Sequence, residues 1–133
     1  MVGVINTKGD IVQVEIKGVS EVLERIRELG QDIKQGRDVG VFQAANMIQN
    51  EVQESIIGNR AETRSVLTGN FANSITTDKI KDAEFSVYTE VPYAKGLEFG
   101  TSKIQPRRHF RNTLSRNKDK IKEIIETEIK RNI

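Results

Sequence analysis

Residues 84–101, EFSVYTEVPYAKGLEFGT, decide the fold of this chain because two kinds of secondary structure meet within them. From Phe85 to Val91 apolar and more polar side chains alternate, the period-two pattern of a strand with one buried face. Pro92 then suits the first position of a helix, and Gly100 suits its end. A strand that passes directly into a short helix predicts a domain in which both element types share one core.

Further strands are predicted on the amino-terminal side. The stretches Val2 to Ile5 and Ile11 to Lys17 flank residues 6–10, whose Asn, Gly and Asp favour a turn, so we expect a hairpin. A short helical turn from Phe71 to Ile75 leads into a strand near Ile75–Ile80. Residues 81–84 then connect this strand to the next one, and residues 59–70 form a surface loop.

Three helices are predicted from apolar spacing. Ser20 is a suitable N-cap for a first helix that ends near Leu29. A second, longer helix ends before Gly58, and a third extends from Pro106 to the end of the chain. The apolar faces consist of Val41, Ala44, Ala45, Ile48, Val52 and Ile56 in the second helix and of Phe110, Leu114, Ile121, Ile125 and Ile129 in the third. The fold class is therefore α+β, a small antiparallel or mixed β-sheet packed against helices, with a long C-terminal helix and a single domain over residues 1–133.

Composition excludes several kinds of chemistry. The chain has 133 residues, no Cys and one His, so disulfides, thiolate metal sites and a thiol nucleophile cannot form. His109 alone cannot build a two-His metal site. Since no Gly-rich phosphate loop or nucleophile motif occurs either, we expect no enzyme, no cofactor and no metal. No apolar run approaches the roughly 20 residues of a membrane span, and no signal peptide is recognisable, which favours a cytoplasmic product without a membrane partner.

Charge is distributed unevenly along the chain. Residues 1–91 hold 10 basic and 14 acidic residues, and residues 92–133 hold 11 and 5, so the net charges are −4 and +6. The basic helix is the one candidate nucleic-acid surface, although a solvated helix face is the more common meaning of such a pattern. Beside it, His109 is interpreted as a surface or helix-entry residue rather than a catalytic one. The neighbouring arginines, Arg107, Arg108 and Arg111, could bind phosphate or a partner's carboxylates, or could form salt bridges within the chain.

Two segments resemble a known protein family. Residues 91–101, VPYAKGLEFGT, are followed by Arg108-His109-Phe110 and a long helix, and upstream residues 67–75, LTGNFANSI, contain a Thr-Gly and end in Ser-Ile. This order resembles the tail-completion, or head-to-tail joining, proteins of long-tailed bacteriophages, over about residues 66–116. The chain departs from the family pattern at His109, where Pro is usual, and at Phe71, where Leu is usual.

The resemblance implies a function by assembly. Similar proteins are small α+β tail terminators that form a ring, commonly hexameric, at the head-proximal end of the tail tube, where they stop tube growth. The implied partners are further copies of the chain, the tail-tube protein and a head-completion or connector protein, with DNA passing through the lumen without sequence-specific binding. The implied location is the virion tail or neck, after assembly in the host cytoplasm. The candidate interface or structural residues are Tyr93, Glu98, Phe99, Gly100, Thr101, Arg108 and Phe110.

Other functions stay open at this point. Within the same class, the chain could be another neck component, such as a stopper or a minor head protein. From a different class, it could be a small nucleic-acid-binding module that uses the basic C-terminal helix, and an enzyme is the least favoured of these alternatives.

Overall fold

The computed structural model describes residues 3–9, 11–17, 34–65 and 69–131. Within these ranges the chain forms four strands and four helices, numbered here in chain order. They are β1 Gly3–Lys8, β2 Ile11–Lys17, α1 Lys34–Ile56, α2 Asn70–Asn73, β3 Thr76–Lys81, β4 Glu84–Thr89, α3 Ala94–Phe99 and α4 His109–Arg131. The predicted helix from Ser20 to Leu29 lies outside the described residues, as do residues 66–68 of the predicted loop.

The four strands form one sheet in the order β1-β2-β4-β3, and every neighbouring pair is antiparallel. Alternate residues of β2 and β4 face each other across the ladder and are buried, which gives the sheet one apolar face. The opposed buried pairs are Val12 with Thr89, Val14 with Val87 and Ile16 with Phe85. The predicted α+β class is confirmed, and the sheet is antiparallel.

Helices α1 and α4 cover the apolar face side by side. Helix α1 lies over β3 and β4, where the ring of Phe42 is 5.3 Å from that of Phe85. Helix α4 reaches β1, since a Cβ placed on Gly3 would lie 2.6 Å from Cδ1 of Leu114. The predicted apolar faces of both helices are buried as expected.

Two glycines allow α1 and α4 to pack closely. A Cβ on Gly36 would lie 2.7 Å from Cα of Ile129, and a Cβ on Gly40 would lie 2.8 Å from Cα of Ile125. Contacts this short with backbone atoms cannot be relieved by a side-chain rotation. The helix interface therefore requires the absence of side chains at these two positions, which lie one turn apart on the same face of α1.

Several boundaries differ from the predictions. Strand β1 continues through residues 6–8, predicted as part of a turn, because these residues pair with β2; the turn is at Gly9, where φ is 65°. Strand β4 ends at Thr89 instead of Val91. The predicted connector at 81–84 is a tight turn between β3 and β4, with φ of 58° at Ala83.

The helices around the motif also begin later than predicted. Helix α3 starts at Ala94, and Pro92 lies in the turn before it. Helix α4 starts at His109 and not at Pro106. The reason is that Arg108 has φ of 55°, outside the helical region, while the amide of Arg107 donates to the carbonyl of Leu97 at 2.7 Å.

Candidate functional site

The centre of the candidate site is the carboxylate of Glu98, which is only 2% exposed. Its two oxygens each accept a hydrogen bond of 2.9 Å, from the backbone N–H groups of Phe110 and Arg111 in the first turn of α4. Burial raises the pKa of this carboxyl group, and the two hydrogen bonds act in the opposite direction. Glu98 therefore joins the end of α3 to the beginning of α4.

This contact replaces the usual N-cap of a helix. The carbonyl of Arg108 accepts the first helical hydrogen bond, from Asn112 N at 2.9 Å, so Arg108 occupies the capping position. An N-cap side chain normally accepts from the next amides, but a guanidinium has no acceptor. Glu98 supplies these acceptors from a different helix.

The loop between α3 and α4 is fixed by its own hydrogen bonds. Gly100 has φ of 82°, and a Cβ there would lie 2.9 Å from the ring of Pro106. Thr101 donates its N–H to the carbonyl of Ile104 at 2.9 Å, and its hydroxyl accepts from the amides of Lys103 and Ile104 at 3.1 Å each. Residues 100–106 therefore form a closed and well-determined loop.

The structure divides the seven candidate residues into two groups. Glu98 and Phe110 are buried. With Gly100, whose φ is positive, they connect α3, the loop and α4. The other four residues, Tyr93, Phe99, Thr101 and Arg108, are exposed. The exposed aromatic rings are notable because Tyr93 is 51% and Phe99 46% accessible, and Ile104 adds a further apolar side chain that is 40% accessible.

A second, buried hydrogen-bond chain lies beneath this surface and contains His109. The imidazole is fully buried, with Nδ1 2.8 Å from Oγ of Ser55 and Nε2 2.8 Å from Oγ of Ser65. Arg107 Nη1 donates to Ser65 Oγ at 2.8 Å, and Ser55 Oγ donates to Glu62 Oε1 at 2.6 Å. With a neutral imidazole protonated on Nδ1, each group donates to the next: Arg107 to Ser65, Ser65 to His109, His109 to Ser55, and Ser55 to Glu62.

The sequence-based interpretation of His109 allowed a surface or a helix-entry residue, and the second alternative is correct. It is a helix-entry residue, since it begins α4, but it does not lie on the surface. Burial lowers the pKa of the imidazole to about 4; the negative charge of Glu62 opposes this shift, and the positive charge of Arg107 adds to it. His109 is therefore neutral near pH 7.

Glu62 is the last group of this hydrogen-bond chain, and it forms a bidentate contact with Arg116. The guanidinium donates to Oε2 at 2.7 Å and to Oε1 at 2.9 Å, and Asn112 donates to Oε2 at 3.2 Å. Burial acts to raise the pKa of Glu62, but the hydrogen bonds from Arg116, Ser55 and Asn112 outweigh it and lower the pKa to about 2.

Ser65, His109 and the Ser55–Glu62 pair have the connectivity of a nucleophile, a base and an orienting group. Two observations argue against that chemistry. The imidazole, with a pKa of about 4, is a weak base at neutral pH. The charge of Glu62 favours an imidazolium but is shared with Arg116, and it does not outweigh the effect of burial on His109. We interpret this hydrogen-bond chain as structural, because it connects α1, the segment that follows α1, and α4.

The remaining candidate features can be stated briefly. Among the described residues, no group of His, Asp and Glu could hold a metal ion, and no helix is long and apolar enough to cross a membrane. Part of the charge on the basic helix α4 is paired within the chain, as in Lys130 with Glu126 and Arg131 with Glu128. None of the three clustered arginines, Arg107, Arg108 and Arg111, forms a salt bridge with a described carboxylate.

Comparison with protein-family models, with curated proteins and with solved structures gives no match to this chain. The relation to tail-completion proteins therefore depends on the quoted motif residues, and it stays a prediction.

Proposed function

We propose that this chain is a structural tail-completion protein of a long-tailed bacteriophage, of the tail-terminator type. It forms a ring on the head-proximal end of the tail tube, stops tube growth and presents a surface to the head connector. It acts by the geometry of its contacts and performs no covalent chemistry. DNA passes through the ring without sequence-specific contacts.

One observation carries the proposal. The segment that resembles the family folds into a rigid corner, locked by Glu98 onto α4, and this corner displays Tyr93, Phe99 and Ile104 at 40–51% exposure. Grouped apolar side chains on a rigid support are typical of a surface that is covered in an assembly. The stability of the domain does not require these three apolar side chains to be exposed together.

Charge supports assembly with different faces in contact. A closed ring of identical subunits uses two distinct surfaces on each subunit, one contacting the other on the neighbour. The net charges of −4 on residues 1–91 and of +6 on residues 92–133 supply both signs along the sequence, and a ring of this kind would place them on different faces.

The proposal is tested with tail tubes assembled from the tube protein encoded in the same genome. Purified chain is added during tube polymerisation, and electron microscopy measures tube length and the position of the added protein. We expect density at one tube end and shorter, more uniform tubes. If the chain never localises to an end and tube length is unchanged, the proposal is wrong.

A matched pair of variants tests the role of the corner. Phe99→Ser removes an apolar ring that is 46% exposed, and Ile80→Ser removes an apolar side chain that is 48% exposed on β3, away from the corner. We expect only the first variant to lose end binding, with unchanged circular dichroism in both. Equal loss in both variants would assign the effect to general surface hydrophobicity and contradict the role of the corner.

A further inference from the structure

A cleft of about 800 Å³ opens between the segment at Arg64–Ser65, helix α3 and the loop that follows α3. This volume lies within the range of pockets that bind ligands. Its lining combines apolar side chains with two arginines. The apolar wall consists of Pro92, Tyr93, Leu97 and Ile104, and the polar wall includes Arg64, Ser65 and Arg107.

The two arginines of the cleft have no carboxylate partner among the described residues, whereas Arg60 and Arg116 both do. Arg107 is held in place, since its Nη1 donates to the carbonyl of Arg64 at 3.1 Å and to Oγ of Ser65 at 2.8 Å. Its Nε and Nη2 have no acceptor in the described part of the chain. Within the described residues, the cleft therefore presents donors of Arg64 and Arg107 to an anionic group, and those of Arg107 are held in position.

The walls of the cleft are preformed. The amide of Arg107 donates to the carbonyl of Leu97 at 2.7 Å, which fixes the far end of the loop against α3. The stem of Arg64 packs against Gly58, where an added Cβ would lie 3.0 Å from Cβ of Arg64. A preformed cleft needs little ordering when it binds, so more of the contact energy contributes to affinity.

We propose that this cleft binds a segment of a partner protein in which a carboxylate side chain lies beside a large apolar side chain. The carboxylate pairs with Arg64 and Arg107, and the apolar side chain packs on Tyr93, Leu97 and Ile104. The complementarity of charge selects the carboxylate, and the apolar wall selects against a nucleic-acid backbone, which would leave it uncovered.

A protein segment fits better than a small carboxylic acid. The apolar surface continues past the cleft, because Ile104 also borders a second depression that contains Phe99, which is 46% exposed. A small molecule within the cleft would leave that ring in water, whereas an extended peptide can cover both. The proposal does not depend on tail assembly, since it concerns the chemistry of the bound segment only.

The first test is selection of a random peptide library against the full chain, followed by titration of the isotope-labelled chain with the best enriched peptide, monitored by NMR. We expect enriched peptides with Asp or Glu next to Leu, Phe or Tyr, and shifts at Tyr93, Leu97 and the Nε–H of Arg107. Replacing the peptide's Asp and Glu by Asn and Gln should weaken binding about tenfold. Failure to enrich, a consensus without carboxylates, or shifts confined to α4 would each overturn the proposal.

Charge-matched variants separate the cleft from general electrostatics. Arg64→Gln should weaken binding of the enriched peptide about tenfold. Lys95→Gln, which removes an exposed charge of α3 that does not line the cleft, should leave binding unchanged. The amide spectrum of each variant reports whether it is folded. Equal effects of both variants, or an Arg64-dependent affinity for DNA or for a second copy of the chain in place of the peptide, would contradict the assignment. A failed tube assay with intact peptide binding would refute only the tail function.

Discussion

Removing the carboxylate of Glu98 tests how the corner is held together. In the folded chain this group satisfies the N–H groups of Phe110 and Arg111, two of the four amides at the start of α4 that have no partner within the helix. Glu98→Ala leaves both without an acceptor, and the first is in a fully buried residue. Glu98→Gln keeps the shape and one oxygen acceptor, but it turns an NH₂ group toward the second amide.

The magnitudes follow from these contacts. A hydrogen bond to a charged group contributes about 1.5–3 kcal/mol to the free energy of unfolding, and an orphaned buried donor costs about 1–3 kcal/mol. Burial works against this gain, and the raised pKa of Glu98 means that for the charged form desolvation outweighs the two hydrogen bonds. We therefore expect losses near the lower end of the range, about 1–2 kcal/mol for Glu98→Gln and about 3–4 kcal/mol for Glu98→Ala.

Urea unfolding followed by far-ultraviolet circular dichroism measures these losses. Glu90→Gln is the matched control, because Glu90 is an exposed carboxylate in the same part of the chain. In native-state hydrogen exchange, the amides of Phe110 and Arg111 should lose more protection than the middle of α4. The reasoning is refuted if Glu98→Ala unfolds at the same urea concentration as Glu90→Gln, or if Glu98→Gln is as unstable as Glu98→Ala.

Three further predictions concern buried groups. The pKa of His109 is 6.5 in the unfolded chain and about 4 in the folded chain. The neutral imidazole therefore contributes fully to the free energy of unfolding above pH 6.5, and about 3 kcal/mol is lost as the pH falls toward 4. Urea titrations should show this loss in the natural chain and not in His109→Gln. Arg116→Gln leaves the charge of Glu62 buried without its bidentate partner, so the free energy of unfolding should fall by about 2–3 kcal/mol in the same assay. Arg60→Gln, which removes an exposed ion pair, should change it little. Ala is a better helix former than Gly, but Gly40→Ala should destabilise the chain by about 1 kcal/mol or more, because the added methyl lies 2.8 Å from the backbone of α4. A stabilised variant would contradict this and show that α1 can move away from α4.

Periodicity predicted the strands and long helices well because it depends on residues close in sequence. Strand β2 needs only the alternation from Ile11 to Lys17, and the buried face of α4 needs only spacings of three and four. The close contact of Gly36 and Gly40 with α4 was not predictable in this way. It requires knowing which two helix faces meet, and that depends on the whole topology.

The start of α4 shows why boundaries are harder. Local rules place a helix start at Pro106, since Pro is well suited to a first turn. The actual start at His109 is set by Glu98, which lies on another helix and supplies both capping acceptors. The capping residue is invisible to a local pattern because 12 positions separate it from Phe110.

The buried polar chain was missed for the same physical reason, at greater distances. His109 meets Ser55 across 54 positions and Ser65 across 44, and Glu62 meets Arg116 across 54. In the sequence, Glu62 stands in a polar stretch that reads as solvated loop, and the charges around His109 suggest a surface. Only the fold reveals that these groups satisfy one another out of contact with water.

Glu98 and Phe99 together reverse the ordinary rule for a helix. Consecutive residues point about 100° apart, and here the charged side chain is 2% exposed while the aromatic one is 46% exposed. Each placement is unfavourable for an isolated domain, because the first removes a carboxylate from water and the second exposes an aromatic ring to it. The first is offset within the chain by two hydrogen bonds from α4. The second leaves 46% of the Phe99 side chain exposed, and contact with another protein is an arrangement that would remove this cost. This asymmetry supports an interface at the corner more strongly than the motif itself, since it depends on physical cost and not on resemblance.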